Sequence, residues 1–260
     1  MNDFKEFSDA DLGGSQFTRV DLSGSSFEQV DLTGVRMRNV YLAGARLRGA
    51  DLTDLELDGM VRNLIVNGVD VTPFVEAELD RRYPERVKLR PTDADGFREA
   101  WRVIEASWPP TVALAQTLPP DALHERVDGE WSFIETLRHL VFVVDAWAKR
   151  AVLHDPSPYD ALGLPHDEHD PNDHDVPNDR SARPTLEQLL ELRNDRTAVV
   201  RKLLADLTDE QLAGETHLSG PGYPTPGRYP VRRCLQAVVN EEWEHRLIAE
   251  RDLRGLRSRR

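Results

Sequence analysis

A large apolar residue returns at every fifth position through the first part of the chain: Phe7, Leu12, Phe17, Leu22, Phe27, Leu32, Met37, Leu42, Leu47, Leu52 and Leu57. Neither a helical period of about 3.6 residues nor the two-residue period of a flat strand gives this spacing. Two residues earlier sit small or β-branched partners: Ala10, Ser15, Val20, Ser25, Val30, Val35, Val40, Ala45 and Ala50. Mostly polar residues lie between, including Asp11, Gln16, Asp21, Asp31, Arg36, Arg46, Asp51 and Glu56. Three residues therefore alternate in, out, in, as a short strand does. The other two carry corner chemistry, as in Gly13-Gly14, Ser23-Gly24, Thr33-Gly34, Ala43-Gly44, Arg48-Gly49 and Asp58-Gly59. A short strand and a corner, repeated, predict a coil. Register fails at Arg62, and Leu64-Ile65-Val66 with Val69-Asp70-Val71 reads as a final strand or two closing the open end.

Beyond the repeat the pattern turns helical. Pro73 to Val87 reads as a short linking helix, with Pro84 and Pro91 bracketing its end. Four longer helices are predicted. The first runs from Asp95 to about Leu118, broken or kinked near Pro109-Pro110. The second runs from Ser132 to about Leu153, with Ser132 and Glu135 at capping-box spacing. The third spans Thr185 to about Leu207 with Thr185 as cap, and the fourth Pro230 to about Leu253 with proline in its first turn. Four amphipathic helices of this length suffice for a bundle core. Residues 154–184, with four histidines and many aspartates, and residues 214–229 read as long loops. The expected organisation is residues 1–75 as a repeat domain with its cap, 76–92 as a linker helix and 93–260 as an all-α bundle.

The repeats ADLGG, VDLSG, VDLTG and ADLTD resemble the pentapeptide-repeat family. That resemblance implies a right-handed quadrilateral β-helix with four repeats per coil, hence a little under three coils here. Long members of that family mimic DNA and bind topoisomerases. Here the outward face mixes Asp with Arg36, Arg38, Arg46 and Arg48, which favours a scaffold or docking surface for a protein partner.

Composition narrows the classes. Hydrophobic content of 39% and charged content of 30% suit ordinary soluble cores. No apolar run reaches the roughly 20 residues of a membrane span. The segment MNDFKEFSDADLGG lacks the basic and apolar regions of a signal peptide. The single cysteine, Cys234, excludes an internal disulfide framework and leads us to expect a cytoplasmic protein. A net charge of −13 argues against direct nucleic-acid binding. Arginine far outnumbers lysine, a bias that suggests a GC-rich, actinobacterial genome.

Polar residues on apolar helical stripes are the candidate chemistry. Glu241 and His245 are i, i+4 and share one face of the fourth helix, and His139 lies beside Phe142 and Val143 in the second. A carboxylate and imidazoles can hold one divalent ion. Glu242, three residues before His245, is a rival ligand, whereas Glu244 should face outward. His166 lies in a loop that also reads as a solvated acidic segment. Folded over the site mouth, it would serve as a fourth ligand or acid/base group. Cys234 and the tryptophans Trp131, Trp147 and Trp243 read as core or pocket wall.

The segment EWSFIETLRHLVFVVDAW resembles the second helix of the DinB-like superfamily, with its ligand histidine at His139. NEEWEHRLIAERDL resembles the fourth helix, where the family usually has H-x-x-x-H; here Glu241 stands in place of the first histidine. The resemblance covers roughly residues 95–255. It implies a divalent metal, zinc or nickel, on His139, Glu241 and His245. It also implies an enzyme that activates a low-molecular-weight thiol such as mycothiol or bacillithiol for transfer, and mycothiol would suit an actinobacterial source. A bundle that has lost its metal, with Glu241 and His245 as a hydrogen-bonded pair, stays open. So do a non-catalytic binding protein, a topoisomerase modulator, and the oligomeric state.

Overall fold

The computed structural model describes residues 5–170 and 173–259. Residues 1–4, the start of the expected repeat domain, lie outside that description, as do 171–172 and 260. The chain divides into two compact units, Met1–Gly59 and Met60–Arg260.

In the first unit the five-residue sequence period becomes a ten-residue structural one. Tight turns recur where Ser15, Ser25, Val35, Ala45 and Leu55 N–H groups bond to the carbonyls of Leu12, Leu22, Leu32, Leu42 and Leu52. The third position of each turn has positive φ and is Gly14, Gly24, Gly34, Gly44 or Asp54, which is why glycine recurs every ten residues. The aspartates Asp11, Asp21, Asp31 and Asp51 accept the N–H two residues on. The alternate corners use positive φ at Asp9, Arg19, Gln29, Asn39 and Gly49. Between residues 5 and 60 no strand is assigned. Every residue there is exposed, including Phe17, Phe27 and Leu47, which the sequence pattern points inward.

The second unit opens with β1 (Ile65–Val66) and β2 (Val69–Asp70), which pair with each other as an antiparallel hairpin across Asn67-Gly68. The predicted terminal strands therefore form, grouped with the helical unit. Helix α1 (Thr72–Arg82) and a 3-10 turn, Pro84–Leu89, follow.

Helices α2 (Ala94–Gln116), α3 (Phe133–Val143), α4 (Leu186–Asp206) and α6 (Val231–Ser258) form the bundle, each packing against two of the others in the ring α2, α6, α3, α4. Phe97, Trp101, Ile104, Leu137, Leu140, Leu189, Leu235 and Leu253 fill its core. Capping boxes close at Ser132/Glu135 and Thr185/Gln188. Pro230 is the residue preceding α6, not part of its first turn.

Two expectations are corrected. Helix α2 is not broken at Pro109 and Pro110 but continues through both. Both prolines lie on the exposed face, so the carbonyls they leave unbonded can meet water while Trp108, Thr111 and Ala115 hold the helix to the core. Residues 214–229 are not loop alone. β3 (Glu215–Leu218) pairs antiparallel with β4 (Gly227–Pro230), after the short helix α5 (Asp209–Ala213).

Helix α3 widens into a π-helical segment, Val144–Arg150, and the 154–184 connection folds back over it. Arg138, fully buried on α3, pins this connection. Its guanidinium donates to the carbonyls of Leu162 (2.8 Å), Asp179 (2.6 Å) and Ala182 (3.2 Å). Leu164 and Val176 are buried as well, so the segment is a covering strap and not only a solvated acidic loop. Among the described residues no helix is long and apolar enough to cross a membrane.

Arg138→Leu removes the donors of three carbonyls and should cost about 2–4 kcal/mol in urea unfolding. An unchanged midpoint would mean that water replaces the guanidinium.

Candidate metal centre

The inner face of α3 meets the inner face of α6 at His139, Glu241 and His245. His139 is buried, while Glu241 and His245 are partly exposed. The ring of His139 is set by its own contact: Nδ1 lies 2.9 Å from the Leu164 carbonyl. A carbonyl only accepts, so Nδ1 carries the proton and Nε2 presents its lone pair. Nε2 is 3.4 Å from Glu241 Oε2, and His245 Nε2 is 3.0 Å from the same oxygen. One ligand atom from each residue falls within 4.8 Å of the others. Donors sharing one ion at about 2.0–2.2 Å sit roughly 3–3.5 Å apart, so the spacing suits a single divalent cation.

Burial lowers the pKa of His139, and the nearby His245 adds to this against the opposing pull of Glu241; the ring is neutral, the form that ligates. Burial would raise the Glu241 carboxyl, but the two imidazole rings beside it, with His245 Nε2 as its hydrogen-bond donor at 3.0 Å, outweigh that and hold the group well below the usual carboxylate range. Two imidazoles and one carboxylate thus converge.

Trp131 roofs the cluster. Its ring stacks parallel on His245 at 5.7 Å and leans on His139 at 4.6 Å. The indole N–H donates to Asp167 Oδ1 at 3.0 Å, which Arg180 also holds at 2.8 Å. Trp131 is therefore pocket wall, as its sequence position suggested, whereas Trp243 is core.

The rival ligand is placed elsewhere. Glu242 is buried and takes two hydrogen bonds from Arg193, at 3.1 and 2.8 Å. Glu244 faces outward. His166 does not join the triad. Its Nδ1 lies 3.2 Å from Glu168, and its ring packs against Tyr223 and His169 at 5.1 and 5.7 Å. The strap is tethered at Leu164, two residues earlier, and Glu168 and Tyr223 hold His166 away. Cys234 is buried beside Ala151 and Leu218, and burial pushes its thiol up to about 11, so it is no nucleophile.

The sequence did not single out Arg138, Arg193, Asp145 or Arg196. Asp145, fully buried in the π-helical segment, accepts from Arg196 Nε at 2.6 Å and from the Asp160 N–H at 2.9 Å. A carboxylate and an arginine on separate apolar stripes give no local signal, because only tertiary packing joins them.

Glu242→Gln should cost about 3 kcal/mol, because it strands the Arg193 charge in the interior. Glu241→Gln, partly exposed, should stay within about 1 kcal/mol. Equal losses for the neighbouring substitutions in denaturant unfolding would refute this division of roles.

Against known families, a model described as the DinB superfamily matches residues 104–249, which include all three converging residues. A model of pentapeptide repeats matches in eight copies over residues 6–39 and 15–54. No curated protein and no solved structure matches. The first match covers more than half of the 260 residues, and the chain therefore belongs to the DinB superfamily, with pentapeptide repeats ahead of its helical domain.

Proposed function

We propose that the helical unit binds one divalent cation, zinc or nickel, through His139, Glu241 and His245, and uses it in transfer chemistry on a low-molecular-weight thiol such as mycothiol. The observation that carries this is the convergence of three donors with His139 already fixed by Leu164. When bound, such an ion stabilises a thiol as its thiolate at neutral pH. The chain supplies the rest. The Leu164 carbonyl keeps the proton on His139 Nδ1 and the ligating Nε2 bare. Trp131 covers one side and keeps water from it. Glu241 contributes one negative charge, which leaves a divalent site with a residual positive charge and a preference for an anionic further ligand. The open side past Glu241 and His245 is the approach for substrate.

The competing reading is a metal-free triad, favoured by the contacts Glu241 already makes to both rings. For the repeats we infer a quadrilateral β-helix serving as a docking domain for a protein partner. The alternating corners and unbroken period support that inference.

Purified protein should carry close to one ion per chain. His139→Ala should weaken zinc binding by more than roughly a hundredfold, beyond the effect of losing a ligand's hydrogen-bond partner. Zinc should also change the tryptophan emission. Trp131→Phe should abolish that change with the stoichiometry intact. Protein that takes up neither zinc nor nickel on titration rejects the site. Metal-loaded and metal-free protein conjugating mycothiol to an electrophile at equal rates reject the transferase activity.

A further inference from the structure

A second cleft of about 550 Å³ opens at the far end of the π-helical segment, between residues 154–159 and the β3–β4 connection. Arg150, His154, His217 and Ser219 line it, with the acids Asp155 and Asp175. Arg150 follows His139 by eleven residues along the same helical run, about three turns away. The cleft therefore shares none of the three converging donors.

Both walls are built rather than loose. Lys149 Nζ donates to the Pro158 carbonyl at 2.6 Å, and the Asp155 N–H returns to the Lys149 carbonyl at 3.0 Å. Tyr159 joins the walls: its hydroxyl donates to the Tyr223 carbonyl at 2.6 Å and accepts the Tyr223 N–H at 2.9 Å. His154 holds a positive φ of 54° at the rim, a backbone state uncommon outside glycine, and its Nε2 donates to Thr216 Oγ1 at 3.1 Å, whose own proton goes to the Ala151 carbonyl.

The guanidinium of Arg150 is held in place without a counter-ion. Its Nη2 donates to the Gly220 carbonyl at 3.0 Å, while its Nε is buried with no hydrogen-bond partner. Gly222 lets the guanidinium pack on the chain: a Cβ there would stand 3.3 Å from both Cζ and Nε and 2.9 Å from the Tyr159 hydroxyl. Among the described residues Arg150 forms no salt bridge, unlike Arg193 and Arg196, which are paired with carboxylates. Of the two acids, Asp155 is engaged by the Ser157 N–H at 2.9 Å and lies 3.5 Å from Lys149. Asp175 is the acid left to face Arg150 across the cleft.

We propose that this cleft binds a compact oxyanion, the phosphate or carboxylate head of a small molecule, with Arg150 as its principal contact and His217 as a flanking donor. A guanidinium held by a carbonyl and paired with no carboxylate is pre-organised for such a group. The aromatic wall behind it reaches the other site, since Phe142 packs on Tyr159 at 6.0 Å and on His139 at 6.2 Å. Occupancy at Arg150 is thereby in packing contact with the ring that presents a ligand nitrogen.

The test is calorimetric titration of full-length protein freed of metal by dialysis, so that the outcome does not depend on the ion site. The probes are inorganic phosphate and succinate, with chloride as control, titrated into the tens of millimolar. Saturable binding of phosphate, succinate or both is expected, and the preferred probe identifies the head group. Arg150→Met, checked for native circular dichroism, should weaken it roughly tenfold or more, as loss of a charge-assisted contact does. His217→Ala, at an exposed position, should weaken it severalfold, and it decides the matter should Arg150→Met fail to fold. No saturable heat with either probe, or affinity unchanged in the folded variants, overturns the proposal.

Discussion

The contact of His139 Nδ1 with the Leu164 carbonyl governs the helical unit's chemistry. It orients the imidazole, assigns its proton and ties the 154–184 strap to α3 in a single step. Arg138, the preceding residue, reinforces it by collecting three more carbonyls from the same strap. Consecutive residues thus do complementary work: one fixes the backbone of the cover, and the other uses that cover to present a bare Nε2. The metal reading depends on this, because a ring free to rotate or change tautomer would present no defined donor.

Buried ion pairs set the rotation of the helices around that point. Arg193 of α4 holds Glu242, and successive residues on a helix are turned by about 100° from one another. Fixing Glu242 toward α4 sends Glu241 toward α3 and His139. Arg196, one turn along from Arg193 on α4, pairs with Asp145 in the widened segment beyond α3. Such pairs add little net stability against apolar replacements. Their contribution here is register, which a core of Leu and Val side chains would leave less defined.

Much of this was legible in the sequence. The five-residue period, the capping boxes and the shared face of Glu241 and His245 follow from local spacing, and the pairing of that face with His139 from the resemblance to the DinB-like superfamily. The ambiguity between Glu241 and Glu242 could not be resolved that way, since both stand at helical spacing from His245 and only Arg193, far off in sequence, separates them. The β3–β4 hairpin was missed because its alternation covers four residues, Glu215 to Leu218, beside a Gly- and Pro-rich stretch that reads as loop. The prolines of α2 do not break it, because a proline's cost depends on whether the freed carbonyl faces solvent. In the repeats the corners were legible down to the glycines, whereas the inward side chains are exposed, and burial is a property of coil stacking that no single repeat encodes.

X-ray absorption at the zinc edge on the zinc-loaded protein bears most directly on the triad as a metal centre. Two imidazole nitrogens and a carboxylate oxygen should appear at about 2.0–2.2 Å, with one imidazole lost in His139→Ala. A spectrum of oxygen ligands alone, with no imidazole scattering, would place the ion elsewhere and leave the three side chains as a hydrogen-bonded brace between α3 and α6.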